Sequence, residues 1–156
     1  MISGKCEHYS IVVYTLGKAK AADVTIGIEN VWNRFLLSPL ETRRFLDEIG
    51  SDYVGMYLDV GNAVYIGYPE QWIEILGHRI KKLHMSDYRF DQAGIGAFVD
   101  LFAGDVDFPA VAKAIAGIGY DDYITLEMLP NYKQFPEVSL YADKYAMNKI
   151  IEMIHL

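Results

Sequence analysis

Hydrophobic and polar positions alternate with two different periods from residue 23 to the end of the chain. Short runs rich in β-branched and aromatic residues, typical of strands, alternate with stretches whose apolar residues recur every three or four positions, typical of amphipathic helices. The pattern predicts strands at 24–30, 53–62, 79–87 and 122–129, and helices at 38–50, 69–77, 108–119 and 136–154. Four strand–helix units in succession predict an α/β fold built on a parallel sheet.

Local signals sharpen some of these boundaries. Ser38, Pro39 and Glu41 form the start of a helix with an S-x-x-E capping box, and Gly50 is a typical stop. A loop is expected from the end of the second strand through Gly67, and a longer one over residues 88–107. No Pro/Gly/Ser-rich linker separates the four units, so they are expected to form one domain.

Residues 1–22 do not share this rhythm. The segment HYSIVVYTLG (8–17) has the β-branched content of a strand, and GKAKAAD (17–23) suits a short helix or a turn. We therefore treat 1–22 as an atypical N-terminal segment, either an additional strand or an arm that contacts another subunit.

Composition and charge exclude several classes of protein. The hydrophobic content of 52% is ample for a packed core, whereas 14 basic against 21 acidic residues give a net charge of −7, which disfavours nucleic acid as a partner. No apolar run reaches the roughly 20 residues needed to cross a bilayer. The single cysteine, Cys6, excludes an intrachain disulfide and fits a reducing, cytoplasmic setting.

Each predicted strand ends on a potential metal ligand. These residues are Glu29 in GIEN, Asp59 in YLDVGN, His84 in KLHMSD and Glu127 in TLEML. Because the carboxyl ends of parallel strands meet at one edge of a sheet or one mouth of a barrel, the four side chains are expected to converge. Three carboxylates and one imidazole form a mostly oxygen donor set, which suits Mn²⁺, Mg²⁺, Co²⁺ or Zn²⁺.

Taken singly, each of the four residues also has a purely structural explanation. Glu29 can pair with Arg34, Asp59 can form an Asx-turn, His84 can bond a backbone carbonyl in the core, and Glu127 can pair with a lysine. The joint occurrence at four strand ends favours a metal site, because three adjacent carboxylates repel one another unless a cation or protons compensate.

The same motifs resemble those of a known family. GIEN (27–30), YLDVGNAVYIGYPEQWIEILG (57–77), IKKLHMSDY (80–88) and GDVDFPAVAKAIAGIGYDDYITLE (104–127) are similar to the C-terminal half of xylose isomerase-like barrels, in particular the sugar phosphate isomerase/epimerase branch. The resemblance extends over about residues 23–130. It implies that residues 23–156 form one half of a (β/α)-barrel, a partial TIM barrel in which Glu29, Asp59, His84 and Glu127 hold one divalent metal ion.

The resemblance also implies an activity and a set of substrate contacts. The two glutamates, Glu29 and Glu127, would act on opposite sides of a bound sugar or sugar phosphate, one removing a proton beside the carbonyl and the other returning it, through an enediolate. Polar or aromatic neighbours of the strand ends are weaker candidates for substrate binding; they are Trp32, Asn62, Lys82, Asp87 and Arg89.

Two departures from the family pattern matter. A full barrel has eight strands, so the four predicted here would leave two open sheet edges and an exposed apolar face; we expect a homodimer or a larger oligomer to cover them. The other half of such a barrel supplies part of the substrate pocket, so activity is expected only if a further subunit replaces it. The alternative to an active enzyme is a non-catalytic fragment of a barrel.

The second departure concerns the endonuclease IV-like members of the superfamily, which cleave phosphodiester bonds. They resemble this chain in the four ligands but carry further histidines, one of them in a D-x-x-H pattern. Here Asp59 is followed by Asn62, and the loop after His84 contains no histidine. The sequence therefore favours a one-metal isomerase or epimerase over a phosphodiesterase.

Overall fold

Four parallel strands form the central sheet, in the order β1-β2-β3-β6. The structure, a computed structural model, describes residues 3–129 and 132–156, except for the side chains of residues 3–9. Within these residues the elements are α1 Ser3–Ala22, β1 Ile26–Glu29, α2 Pro39–Ile49, β2 Val54–Asp59, α3 Val60–Ile66, α4 Pro69–Leu76, β3 Ile80–Met85, β4 Asp87–Tyr88, β5 Phe98–Val99, α5 Phe108–Gly117, β6 Ile124–Leu126 and α6 Glu137–Ile154.

The sheet has a buried face that packs on the helices and a concave face that carries the functional side chains. Met56, Leu58, Leu83 and Met85 alternate along β2 and β3 and are at most 1% exposed, as the two-residue period of a strand requires. The residues between them point to the concave face, where Tyr57 is half-buried.

The helix predicted at 38–50 is confirmed together with its N-terminal signal. The backbone N–H of Glu41 donates to Ser38 Oγ at 3.2 Å, and the N–H of Gly50 donates to the carbonyl of Leu46 at the other end. The carboxylate of Glu41 accepts a hydrogen bond from the N–H of Leu37 at 3.2 Å, and so binds a backbone donor just before the helix start.

The N-terminal segment is a helix, so the expectation of a strand at HYSIVVYTLG is wrong. Val12, Leu16 and Ala19 lie four and three residues apart and place one side of α1 against the core. Val12 belongs to the same buried cluster as Ile150 of α6. Packing of this face outweighs the strand preference of the Ile-Val-Val run. The contact of residues 1–22 with another subunit stays a prediction.

Two predicted loops contain regular structure. Residues 60–66 form α3 directly after β2, because the carboxylate of Asp59 accepts the N–H of Asn62 and caps the new helix. Within residues 88–107, Tyr88 pairs with Phe98 in an antiparallel ribbon of β4 and β5. This ribbon lies between β3 and α5 in the chain and contributes to the wall of the candidate site.

The sheet has two edges among the described residues. β1 pairs only with β2, and β6 pairs only with β3, so each leaves one side without a neighbouring strand in the part of the chain that the structure describes. Over the same residues, no helix has the length and hydropathy needed to cross a bilayer.

Candidate metal centre

The four strand-end residues converge on the concave side of the sheet. Glu29 and Asp59 are the last residues of β1 and β2, His84 lies one residue before the end of β3, and Glu127 follows β6 directly. One ligand atom from each of the four side chains lies within 4.8 Å of all the others. The parallel strand order therefore produces the convergence that the sequence pattern indicates.

The imidazole of His84 is at the centre of this group. Its Nδ1 atom lies 2.8 Å from Glu127 Oε2, 3.1 Å from Glu29 Oε1 and 3.9 Å from Asp59 Oδ2. One ring nitrogen carries at most one proton, which cannot satisfy three carboxylates. Ligands about 2.1 Å from one ion are separated by about 3.0–3.4 Å, so the spacing and the donor types fit a single divalent cation.

Asp59 is the most rigidly held member of the cluster. Its side chain is 1% exposed, and its Oδ1 atom accepts hydrogen bonds from the N–H of Asn62 and from Ser86 Oγ, the latter at 2.9 Å. The same Ser86 hydroxyl oxygen accepts the N–H of Gly61 at 3.1 Å. Because Oδ1 is fixed in this way, Oδ2 is directed at the cluster.

Asn30 fixes the backbone on which Asp59 is carried. Its side-chain amide donates to the carbonyl of Asp59 at 2.8 Å and accepts the N–H of Asp59 at 2.7 Å. Asn30 is 2% exposed, so both bonds are shielded from water. Sequence reasoning missed Asn30 and Ser86, although both are polar residues within two positions of a predicted ligand, which is the available signal.

The pKa of Asp59 is raised from 3.8 to about 7, mainly by burial and in addition by the adjacent Glu127 carboxyl, against the N–H of Asn62 and the hydroxyl of Ser86, which lower it. A buried carboxyl group with this pKa carries a proton for part of the time at neutral pH. A cation among the four side chains would favour the ionised form, so cation binding and proton release are linked.

A cavity of about 300 Å³ opens beside the cluster. Its polar side is formed by Glu29, Asp59, Glu127 and Asn62. The rest of its lining is apolar and is formed by Val31, Trp32, Ile95, Phe98, Val99, Met128 and Leu129. The ring of Trp32 stacks on Phe98 with centroids 5.4 Å apart, and its Nε1–H donates to the carbonyl of Asn62 at 3.4 Å. The β4–β5 ribbon thus supplies a wall that the sequence did not indicate.

Of the five predicted substrate contacts, the structure brings two to this cavity. Trp32 and Asn62 line it. Lys82, Asp87 and Arg89 are not among the described residues that do so.

The three remaining side chains have other partners. Lys82 pairs with Asp122, and the guanidinium of Arg89 pairs with Asp91. The buried carboxylate of Asp87 accepts backbone N–H groups of Tyr88, Gly104 and Val106 and so holds the 88–106 segment together. Burial raises the pKa of Asp87, and the same N–H groups oppose this.

Residues 12–146 match the family model of the xylose isomerase-like TIM barrel. Because this match covers most of the chain, the protein belongs to that family. The predicted α/β fold, a partial barrel of parallel strands, is thereby confirmed. No curated protein has significant sequence similarity to the chain.

Solved structures share this fold at low sequence identity. The IOLI protein, whose crystal structure contains a zinc atom, has a TM-score of 0.82 and 18% identity over 94% of this chain and 56% of its own. An L-ribulose 3-epimerase has a TM-score of 0.76 and 20% identity over 99% of this chain and 55% of its own. D-allulose 3-epimerase from Methylomonas sp., in complex with D-allulose, has a TM-score of 0.75 and 20% identity over 99% of this chain and 56% of its own. The chain spans about half the length of these structures.

Proposed function

We propose that this chain carries the metal centre of a sugar isomerase or epimerase that transfers a proton beside a carbonyl group. The observation that carries the proposal is the convergence of Glu29, Asp59, His84 and Glu127 within 4.8 Å at the wall of a cavity. The chemistry that a bound divalent ion supplies is electrostatic stabilisation of the negative charge that develops on the substrate oxygens. A metal centre of this kind is also supported by the zinc atom in the similar IOLI structure.

The two glutamates are the candidates for moving the proton. Glu29 ends β1 and Glu127 directly follows β6, and these are the two edge strands of the sheet, so the glutamates approach the cavity from two sides. Their side chains are 33% and 53% exposed, compared with 1% for Asp59. Asp59 is thus a fixed ligand, whereas Glu29 and Glu127 retain the freedom to remove a proton from one face of a substrate carbon and return it to the other.

A ketose without a phosphate group fits the cavity better than a phosphorylated one. Among its described lining residues are three carboxylates and no lysine or arginine, so a phosphate dianion would meet like charge. Lys82 and Arg89, the two cationic residues among the predicted substrate contacts, are paired with Asp122 and Asp91. The apolar wall around Trp32 suits the C–H face of a sugar, and the similar D-allulose 3-epimerase binds such a substrate.

The test is exchange of substrate hydrogen with solvent deuterium. The chain is incubated with Mn²⁺ in D₂O with a panel of free ketoses and with the corresponding ketose phosphates, and deuterium on carbon is measured by mass spectrometry. Deuterium in at least one ketose, absent when EDTA is added and absent for Glu127→Gln, is the expected result. No incorporation into any ketose would favour the non-catalytic alternative.

A metal-dependent phosphodiesterase is the second activity to exclude. The cluster contains one histidine, His84, among the described residues, and Asn62, which occupies the place of a further histidine ligand, lines the cavity instead. This donor set does not favour a site with several metal ions. Cleavage of a DNA duplex containing an abasic site, with Mn²⁺ or Zn²⁺ present, would reverse the ranking of the two activities.

We also propose that a second copy of the chain covers the open edges of the sheet. Four parallel strands are half of the eight in a TIM barrel, and β1 and β6 run in the same direction, so a two-fold axis along the barrel would pair β6 of one copy with β1 of the other. Analytical ultracentrifugation should give a dimer at micromolar concentration. A well-folded monomer would contradict this. A cytoplasmic location stays a prediction from the single cysteine.

A further inference from the structure

Tyr57 lies beside the metal-binding cluster without lining its cavity. It is two residues before Asp59 on β2 and therefore on the same side of the sheet. Its ring centroid is 4.0 Å from that of the His84 imidazole, with the two planes inclined by 41°. Its hydroxyl donates to Thr125 Oγ1 at 3.1 Å. Since β3 lies between β2 and β6, the side chain of Tyr57 reaches across the strand that carries His84.

The space for this ring is provided by a neighbouring strand. Glu29 of β1 is paired with Tyr57 in register, and Gly27 lies two residues before Glu29 on the same face. A Cβ atom at position 27 would lie 3.1 Å from the Cβ and 3.3 Å from Cδ1 of Tyr57, which is closer than ordinary van der Waals contact. Gly27 on one side and Thr125 on the other thus define one position for the Tyr57 ring.

The cluster depends on the orientation of the His84 ring. Only when Nδ1 faces the carboxylates does it lie within 3.1 Å of both Glu29 and Glu127. The terminal torsion of a histidine has a broad, roughly two-fold preference, so the ring has a second orientation that would turn Nδ1 away. An aromatic ring packed against the imidazole makes such a rotation unfavourable.

We propose that Tyr57 is a positioning residue that holds the His84 imidazole with Nδ1 directed at the three carboxylates, and that Thr125 anchors Tyr57 through its hydroxyl. This proposal depends on the proposed metal-dependent function only for the measurement of metal affinity. Tyr57 acts through His84 and has no role in proton transfer.

The experiment compares Mn²⁺ affinity by titration calorimetry in Tyr57→Leu, Tyr57→Phe and a matched control. The control is Tyr53→Leu, a tyrosine just before the same strand whose hydroxyl bonds Asp23 at 3.2 Å, away from the cluster. Removing the Tyr57 ring should weaken Mn²⁺ binding about tenfold, the lower end of effects found for residues that orient metal ligands. Tyr57→Phe retains the ring but, like Thr125→Val, loses the hydroxyl anchor, so it should recover only part of the affinity, and the control should bind like the unmodified chain.

A second readout uses the metal-free protein. The ring nitrogens of His84, assigned by their loss in His84→Gln, are followed by ¹⁵N-edited NMR. One set of signals is expected in the unmodified chain, and broadened or doubled signals in Tyr57→Leu. If Tyr57→Leu does not fold, Thr125→Val removes only the anchor and should broaden the same signals.

The outcomes separate the two proposals. The positioning role would be overturned if Tyr57→Leu has unchanged Mn²⁺ affinity and unchanged His84 signals. If the leucine variant does not fold, unchanged His84 signals in Thr125→Val would overturn it. Failure of the unmodified chain to bind Mn²⁺ would instead overturn the proposed function, while the NMR comparison would still decide the role of Tyr57.

Discussion

Asn30→Ala should destabilise the protein although Asn30 is not a predicted metal ligand. The substitution removes both hydrogen bonds to the backbone of Asp59, at 2.7 and 2.8 Å, and leaves the buried N–H without this acceptor, while the carbonyl, as that of the N-cap residue of α3, keeps its bond to the first helical turn. A buried polar group left without a partner costs about 1–3 kcal/mol. The lost bond to the carbonyl adds to this cost and water entering the vacated volume offsets part of it, so we expect a loss of about 1–3 kcal/mol. This is a large share of a typical folding free energy of about 5–15 kcal/mol.

The assay is urea denaturation followed by circular dichroism, in EDTA so that no metal contributes. Asn33→Ala is the matched control, because Asn33 lies in the same loop and makes one exposed hydrogen bond, from the N–H of Phe35 at 3.0 Å. The control should lose no more than about 0.5–1 kcal/mol. A loss for Asn30→Ala no larger than that of the control would refute the view that Asn30 fixes the backbone of Asp59.

Four further predictions concern Asp59 and two glycines. In EDTA, the free energy of unfolding should fall as the pH rises from about 4 to 7. The reason is that the pKa of Asp59, raised from 3.8 to about 7, makes the folded state bind more protons than the unfolded state. Urea denaturation midpoints at several pH values measure this, and a free energy that rises with pH would contradict it. Asp59→Asn should flatten this dependence of stability on pH. It should also weaken Mn²⁺ binding at least about 100-fold, measured by calorimetry, because it removes the charge of a ligand. An unchanged Mn²⁺ affinity would exclude Asp59 as a ligand. Gly61→Ala should destabilise by about 1–3 kcal/mol in thermal melts, because its Cβ would collide with Ser86 Oγ. Gly17→Ala in α1 should stabilise by about 0.5–1 kcal/mol, since nothing lies within 4 Å of the added atom; equal effects of the two substitutions would argue against the packing around Ser86.

The convergence of four potential ligands could be predicted from the sequence because parallel topology determines where strand ends meet. Four apolar runs ending on Glu29, Asp59, His84 and Glu127 indicate strands, and strands of one parallel sheet bring their carboxyl ends to the same edge. No knowledge of side-chain contacts is needed for that inference. The predicted helix at 38–50 likewise depends on signals within a few residues of each other.

Features that depend on long-range pairing could not be predicted in the same way. Asn30 bonds Asp59, 29 residues away, only because β1 and β2 pair in the observed register. Arg89 and Lys82 are equally available to a substrate in the sequence, and only the folded chain shows that Asp91 and Asp122 bind them.

The N-terminal helix and the β4–β5 ribbon are further cases of this kind. α1 forms where the β-branched run indicates a strand, because its face with Val12 packs into the core. The ribbon, which places Phe98 in the cavity wall, is formed by strands of two residues each, too short to produce a periodic pattern.

The central claim is that four strand-end side chains form one site for a divalent ion, and titration calorimetry with Mn²⁺ tests it most directly. The unmodified chain should bind one ion per chain. Substituting any one of the four, as in Glu127→Gln, should weaken binding by at least about tenfold, while Asp122→Asn, which removes a carboxylate paired with Lys82 outside the cluster, should leave it unchanged. Mn²⁺ affinity that is the same in Glu127→Gln as in the unmodified chain would contradict the four-residue site.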